Sequence, residues 1–377
     1  MPNSDPIDIS PVEPPRQFDR PQMSKRLVEA DRLVQASQGR QQFQVTGAGL
    51  TAAVADTGLN LSHVDFAGRI AAQRNFTSDN GDDPHNAADG QGHGTNVSGI
   101  IVANGDHTGM APGARVAPLK VLSNTGSGSF AAVADALQWV IDHREEHNIT
   151  VVCMSLGDGG NYVDDDDFAQ HDIQRRVAKL RKNHVPVCIA AGNDFFKHES
   201  AQGMAFPGIL RHAVSVGAVY DEFEGPFTYR SGAHTDASGP DRITPFSQRL
   251  HPSVSEICRT DIFAPGAPIR SSGIDGPNGE SVQSGTSQAA PVVAGILMLM
   301  QEFHLRETAR MPSVDQLVEW LRRGGAVIND GDDEVDNVTN TKLDFIRLNA
   351  IGALDAIRRD LQKQLLITGE PLRANVA

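Results

Sequence analysis

Residues 149–192 read ITVVCMSLGDGGNYVDDDDFAQHDIQRRVAKLRKNHVPVCIAAG, and their pattern decides the fold. The opening ITVVCMSL and the closing VPVCIAAG are short runs, apolar on both faces and rich in β-branched residues, as strands covered from two sides must be. Between them, from about Phe168 to Lys182, apolar side chains recur at helical spacing. Two buried strands joined by a helix make a βαβ unit, and a βαβ unit implies a parallel sheet.

The same rhythm extends outward in both directions. Upstream lie LTAAVAD (50–56), a helix from His93, ARVAPLKVL (114–122) and a helix from about Ser129 to His143; downstream lies AVSVGAV (213–219). The expected class is therefore α/β, a doubly wound, mostly parallel sheet with helices on both faces. Residues 221–243 break the rhythm with Gly, Pro, Ser and scattered aromatics, and read as a surface loop or hairpin inserted between core elements. An apolar helix follows at 287–303, another helix at 313–324, and IRLNAIGALDAIRRDLQ (346–362) is amphipathic. At the other end, Met23, Leu27, Ala30 and Val34 predict one helix over Met23–Gln38, with Gly39 as its stop. Residues 1–21 hold six prolines and read as an extended tail. The expected organisation is an N-terminal arm and helix (1–44), a main domain (45–310) and a C-terminal helical extension packed on the same domain (311–377).

Composition excludes several classes of function. A chain of 377 residues with 39% hydrophobic content buries a full core. Its net charge of -14 and pI near 5.3 leave no clustered Lys and Arg to grip phosphates, so no nucleic-acid partner is expected. The longest apolar run, Ala289–Met300, falls short of the ~20 residues a bilayer helix needs, so no membrane partner is expected either. Three cysteines, Cys153, Cys188 and Cys258, are an odd number in a long chain and read as reduced, buried thiols. The N-terminus has no basic start followed by an apolar run. Both features point to the cytoplasm, or to a secreted protein if the chain is a processed or partial product. Oligomeric state is left open.

Four segments carry the chemistry, each with a reactive side chain at a strand end or a helix start, where open α/β sheets build their sites. AVADTGL (53–59) ends a strand in Asp56, a carboxylate placed to accept an imidazole N–H, although Asp before a turn is also a common cap. GHGTNVSG (92–99) flanks His93 with glycines at the start of a helix of small residues. SGTSQAAP (284–291) puts Ser287 at the start of the apolar helix, with Pro291 in the first turn, where the helix N–H groups favour developing negative charge. IAAGND (189–194) presents the Asn193 amide after a strand and a flexible Gly, as a donor to an oxyanion. The order Asp, His, Ser along the chain is one of the known solutions to the triad.

These boxes resemble those of the subtilases, the subtilisin family of serine peptidases, over roughly residues 45–310. The resemblance implies Ser287 as nucleophile, His93 as general base, Asp56 as its orienting carboxylate and Asn193, with the Ser287 amide, as oxyanion donors. It further implies a cleft that holds peptide or protein substrate as an added β-strand. Gly126, Ser127 and Gly128 resemble one edge, with Phe130 lining a hydrophobic subsite; Ser155, Leu156 and Gly157 resemble the other. Ala190, Ala191 and Gly192 would wall the pocket for the residue before the cut and Ala205 would floor it, so apolar side chains are expected there. The family usually carries an N-terminal propeptide, whereas only about 45 residues precede the first core strand here, which implies either its intracellular branch with a short inhibitory arm or a chain that is not the whole translated product. The Pro-rich segment reads as a tail, with a cleft-crossing arm as the alternative. A catalytically silent peptide-binding module is the alternative function, and no cofactor is required for the chemistry. The acidic stretches Asp79–Asp83, Asp164–Asp167 and Asp330–Asp336 match no EF-hand and read as solvated charge runs, with structural calcium as the alternative. VANGDHTGMAPGA (102–114) is shorter than the family loop that wraps calcium. No Cys or His pair has zinc-ligand spacing.

Overall fold

The computed structural model describes residues 6–8, 27–331 and 335–368. The chain opens with β1 (Pro6–Asp8), α1 (Val28–Val34), α2 (Ala36–Phe43) and β2 (Thr51–Asp56). There follow β3 (Arg74–Asn75), α3 (His93–Val102), β4 (Arg115–Lys120), β5 (Ser127–Ser129), α4 (Phe130–His143) and β6 (Ile149–Met154). The middle holds α5 (Asp172–Lys182), β7 (Val187–Ala190), β8 (Val214–Tyr220), β9 (Phe227–Thr228), β10 (His234–Thr235) and β11 (Ile262–Ala267). Last come β12 (Ile269–Ser272), β13 (Glu280–Gln283), α6 (Thr286–Thr308), α7 (Val314–Gly324), β14 (Ala326–Asn329), β15 (Asp344–Arg347) and α8 (Ala350–Thr368).

Nine strands form the central sheet in the order β14-β15-β11-β8-β7-β6-β2-β4-β3. From β15 to β3 every neighbouring pair is parallel, and only β14 runs antiparallel. The α/β expectation holds, and β2 shows why its sequence is apolar throughout. Side chains alternate across a strand, so Ala52 and Val54 enter the core under α3 and α6, while Ala53 and Ala55 enter the core under α4 and α5. Both faces are buried, and no polar alternation is possible.

Three expectations are corrected. The single helix ending at Gly39 is two helices, α1 and α2, because Gln35 adopts a left-handed conformation (φ 59°) between them; residues 23–26 lie outside the described residues. Gly39 sits inside α2, where a methyl group would stand 3.4 Å from both Ala350 and Leu354, so it serves close packing against α8. The segment 221–243 does contain a hairpin, β9–β10, as one of its two readings had it, but it is not confined to the surface: its aromatics Phe227 and Tyr229 are buried in the main core. The C-terminal segment is not purely helical: β15 joins the sheet beside β11 and β14 closes that edge. Helix α8 docks through Leu354, Ile357 and Leu361, and its Asp360 accepts a 2.8 Å hydrogen bond from Trp320 Nε1 on α7. Among the described residues, no helix is long and apolar enough to cross a membrane.

Candidate active site

Asp56 ends β2 and His93 opens α3, and the two are drawn together by the absence of a side chain next to His93. A Cβ on Gly94 would stand 2.4 Å from Gly58 O and 3.1 Å from the Asp56 Cβ, so only glycine allows α3 to approach the strand end this closely. His93 Nδ1 then lies 2.8 Å from Asp56 Oδ1, with both side chains buried. The Thr57 amide donates to the same oxygen at 2.7 Å, and Gly94 N donates to Thr57 Oγ1 at 2.8 Å. These bonds fix the ring with Nδ1–H toward the carboxylate, leaving Nε2 buried and without a hydrogen-bond partner among the described residues.

Burial opposes charging the ring, but the neighbouring Asp56 charge and its hydrogen bond, with Asp89 adding, outweigh it and raise the His93 pKa above 6.5. Asp89 escaped the sequence reading. Its carboxylate accepts from the amides of Gln91, Gly92 and Thr95 and from the Thr95 hydroxyl, and so holds the start of α3. The signal was an acidic residue four positions before His93 at a helix N-terminus.

Ser287 is the second residue of α6, whose length and buried apolar surface anchor it under the sheet. Pro291 is the sixth residue of that helix, so it belongs to the second turn rather than the first. Lacking an N–H, it cannot bond to the carbonyl of Ser287 four residues back. Ser155 Oγ, after β6, donates to that carbonyl instead at 2.7 Å. The Ser287 hydroxyl itself donates to Ser155 O at 3.4 Å. No hydrogen bond joins it to His93 among the described residues, although their helices pack together and Gln288 Nε2 reaches Asn96 Oδ1 at 3.4 Å.

Asn193 follows β7, and its Oδ1 accepts from Thr286 N at 2.8 Å and Thr286 Oγ1 at 2.9 Å. With the oxygen so pinned, Nδ2 turns the other way. A methyl group on Gly285 would lie 3.3 Å from Asn193 Nδ2 and 3.5 Å from Ser287 N. Two N–H donors therefore face one small space, kept open because residue 285 has no side chain.

The expected cleft residues divide into two groups. Gly157, Gly192 and Ala205 come together, since a Cβ on either glycine would stand 3.2 or 3.0 Å from the Ala205 methyl. Ala190, Ala191, Ser155 and Leu156 are buried beside them at the ends of β7 and β6. Phe130, expected to line a subsite, is 2% exposed with β1 lying on the neighbouring β5 edge, and it packs edge-on against Phe206 and His171. Its apolar character serves the packing of α4. Ser127 and Gly128 form β5, with Gly126 in the turn before it, and this edge carries a strand already: β1 of the N-terminal arm pairs antiparallel with β5, Ile7 opposite Gly128. The rest of the arm, apart from Pro6–Asp8 and Leu27 onward, lies outside the described residues.

The acidic stretches find partners within the protein. Asp79 accepts from the Asn124 amide at 2.6 Å, Asp165 from Arg211 Nε at 2.6 Å, and Asp330 from the Thr341 amide at 2.8 Å; residues 332–334 lie outside the described residues. Cys153, Cys188 and Cys258 are free and buried.

The subtilase family model matches residues 47–323. The chain belongs to the subtilase family. It is a serine endopeptidase, and its substrates are peptides or proteins. Serine protease AprX of Bacillus subtilis is 30% identical over 302 residues, 74% of this chain and 62% of that protein. The intracellular serine protease of Paenibacillus polymyxa is 31% identical over 69% of this subtilase and 68% of its own length. The major intracellular serine protease of Bacillus subtilis is 29% identical over 74% and 76% respectively.

Proposed function

We propose that this subtilase cleaves peptide bonds through an acyl-enzyme formed on Ser287. His93 Nε2 takes the proton of Ser287 Oγ as that oxygen attacks the substrate carbonyl. Asp56 keeps the ring in the reactive tautomer and stabilises the imidazolium. The oxyanion gathers charge between Asn193 Nδ2 and the Ser287 amide. Collapse expels the amine, which takes the proton from His93, and water releases the acyl group by the same route. For the first step the hydroxyl rotates from Ser155 O toward His93; such contacts are commonly long before substrate binds. The observation that carries the assignment is the buried 2.8 Å Asp56–His93 contact beside an asparagine amide held by the residue preceding Ser287.

The substrate lies as an extended strand on the β5 edge, the position of β1, and the small residues Gly157, Gly192 and Ala205 admit an apolar side chain before the cut. No cofactor enters these steps. The hydrogen bonds and ion pairs of the acidic stretches favour self-paired charge runs over structural calcium. Two relatives named intracellular proteases and three free, buried thiols support an intracellular site of action. A fluorophosphonate should label the protein stoichiometrically, with the label on Ser287. Absence of label on the folded protein, or label that persists in Ser287→Ala, overturns the mechanism.

A further inference from the structure

At the end of α3 remote from His93, three buried side chains meet that the peptidase chemistry does not use. His63 precedes a short turn, Asp65 lies within it, and His107 comes from the loop after α3. Their side chains have no solvent exposure, and one ligand atom from each lies within 4.8 Å of the others. Asp65 Oδ2 is 3.4 Å from His63 Nδ1 and 2.7 Å from His107 Nδ1. Helix α3 has ten residues, which places this cluster about 15 Å from the catalytic ring at 1.5 Å per residue.

The outer nitrogens reveal how the rings are set. His63 Nε2 is 2.8 Å from the carbonyl oxygen of Gly279, and His107 Nε2 is 3.3 Å from Glu280 Oε1. His63 Nε2 faces a carbonyl acceptor and so favours an N–H there, whereas His107 Nε2 lies beside the Glu280 carboxylate without a hydrogen bond among the described residues. His63 Nδ1 then presents a lone pair, which accepts from the Asp65 amide at 3.1 Å, while His107 Nδ1 shares a proton with Asp65 Oδ2 at 2.7 Å; once that proton leaves, three electron-rich atoms face one point. Such a cluster calls for a cation. The carboxylate is itself held in place, because Ser272 Oγ donates to Oδ2 at 2.6 Å and the His107 amide donates to Oδ1 at 2.9 Å.

We propose that His63 Nδ1, Asp65 Oδ2 and His107 Nδ1 bind a divalent transition metal of the zinc class, which staples together the loops around residues 63–66, 104–108 and 272–280. Two imidazoles and one carboxylate form a zinc-type donor set, whereas calcium and magnesium require oxygen ligands nearly throughout. Around a tetrahedral ion with bonds of about 2.1 Å, ligand atoms stand about 3.4 Å apart. The His63–Asp65 separation already has that value, and the His107–Asp65 pair opens by about 0.7 Å to match. Outer N–H groups directed at a carbonyl and a carboxylate are the usual supports of metal-bound histidines. On entry the metal replaces the proton shared by His107 and Asp65, which leaves to solvent, and His63 Nδ1 gives up its 3.1 Å contact with the Asp65 amide. Sequence spacing hid the pair because the two histidines are 44 residues apart.

The test uses the full chain carrying Ser287→Ala to prevent self-digestion, stripped with a chelator and titrated with zinc chloride alone. One zinc per chain retained through dialysis, a rise in Tm of several degrees, and loss of both in His107→Gln support the site. Cobalt(II) at one equivalent should give the intense visible absorption of four-coordinate cobalt, a readout that needs no variant at the site. His63→Asn serves as the second variant if His107→Gln fails to fold. No retained zinc with no cobalt band overturns the proposal. So does binding that survives both substitutions but disappears with His93→Ala.

Discussion

Gly285→Ala should nearly abolish turnover while leaving the fold intact. Gly285 has extended backbone (φ 161°, ψ 164°), so alanine meets no conformational barrier and the effect is one of space. Its methyl carbon would stand 3.3 Å from Asn193 Nδ2, 3.5 Å from Ser287 N and 3.2 Å from Gln288 Oε1. An oxyanion bonded to both donors needs to lie about 2.7–3.1 Å from each. Methyl and oxyanion therefore compete for one volume, and at least one donor is lost in the transition state. Loss of a single donor costs roughly 10²–10³ in kcat in subtilisin itself. The same order is expected here, with KM changed far less, since the oxyanion exists only in the transition state. Steady-state kinetics on a peptide ester and amide, with circular dichroism as the control for folding, measure it. The companion experiment places Gly285→Ala in an Asn193→Ala background, where it should cost much less than in the parent because the two changes remove the same stabilisation. A kcat within twofold of the parent, or fully additive losses, refutes the placement of the oxyanion.

The raised pKa of His93 sets the acid limb of the pH profile. His93 must be neutral to act as a base, so kcat/KM should rise with pH around a midpoint above 6.5, and Asp89→Asn, which keeps an acceptor for the helix start but removes the charge, should move that midpoint down. An unchanged or raised midpoint refutes the role of Asp89. The same shift stabilises the fold below the ordinary imidazole pKa and loses that contribution as pH rises through the folded value. Ser155→Ala leaves the Ser287 carbonyl without a donor, because Pro291 cannot replace it; urea denaturation should show a loss of about 1–3 kcal/mol, and no loss would mean that water takes over the bond. Deleting residues 1–26 frees the β5 edge from β1 and should lower KM for peptides of several residues while leaving a minimal ester unaffected; an unchanged peptide KM refutes competition for that edge.

Much of this was legible because the decisive signals are local. Strands β2, β6, β7 and β8 announce themselves by apolar runs that only a doubly covered sheet tolerates. Asp56, His93, Asn193 and Ser287 stand out because each sits among glycines or small residues at the end of such a run. What escaped depends on partners remote in sequence or on packing. The break at Gln35 has no compositional mark, since glutamine is not among the residues enriched at positive φ. Strands β14 and β15 are four residues each at the sheet margin, with Val327 66% exposed, so neither shows the buried run that marks the central strands. Phe130 reads equally well as a subsite wall and as a core residue, and its edge-on contact with Phe206 depends on a partner 76 residues away that sequence pattern does not reveal. The bond from Ser155 to Ser287 spans 132 residues and meets a carbonyl that Pro291 leaves without its helical partner.

Sheet topology explains why four distant residues share one site. Strand β2 lies between β4 and β6, and the chain leaves it to one side for β4, then crosses to the other for β6 and continues through β7 to β8. The order therefore reverses about β2, and at such a reversal the loops leaving neighbouring strands diverge and open a crevice at the C-terminal ends. Asp56 is the last residue of β2. Ser155 follows β6 and Asn193 follows β7, so all three project from adjacent strand ends spaced about 4.8 Å apart. Helices α3 and α6, packed side by side under that face, deliver His93 and Ser287 by their N-termini, where unpaired N–H groups favour negative charge. A carboxylate from the reversal strand, a base and a nucleophile from helix starts, and a donor two strands away thus follow from the winding order. Inserting one further strand between β2 and β7 would add about 5 Å between the Asp56–His93 pair and the Asn193 amide, more than a side chain can recover within hydrogen-bonding reach.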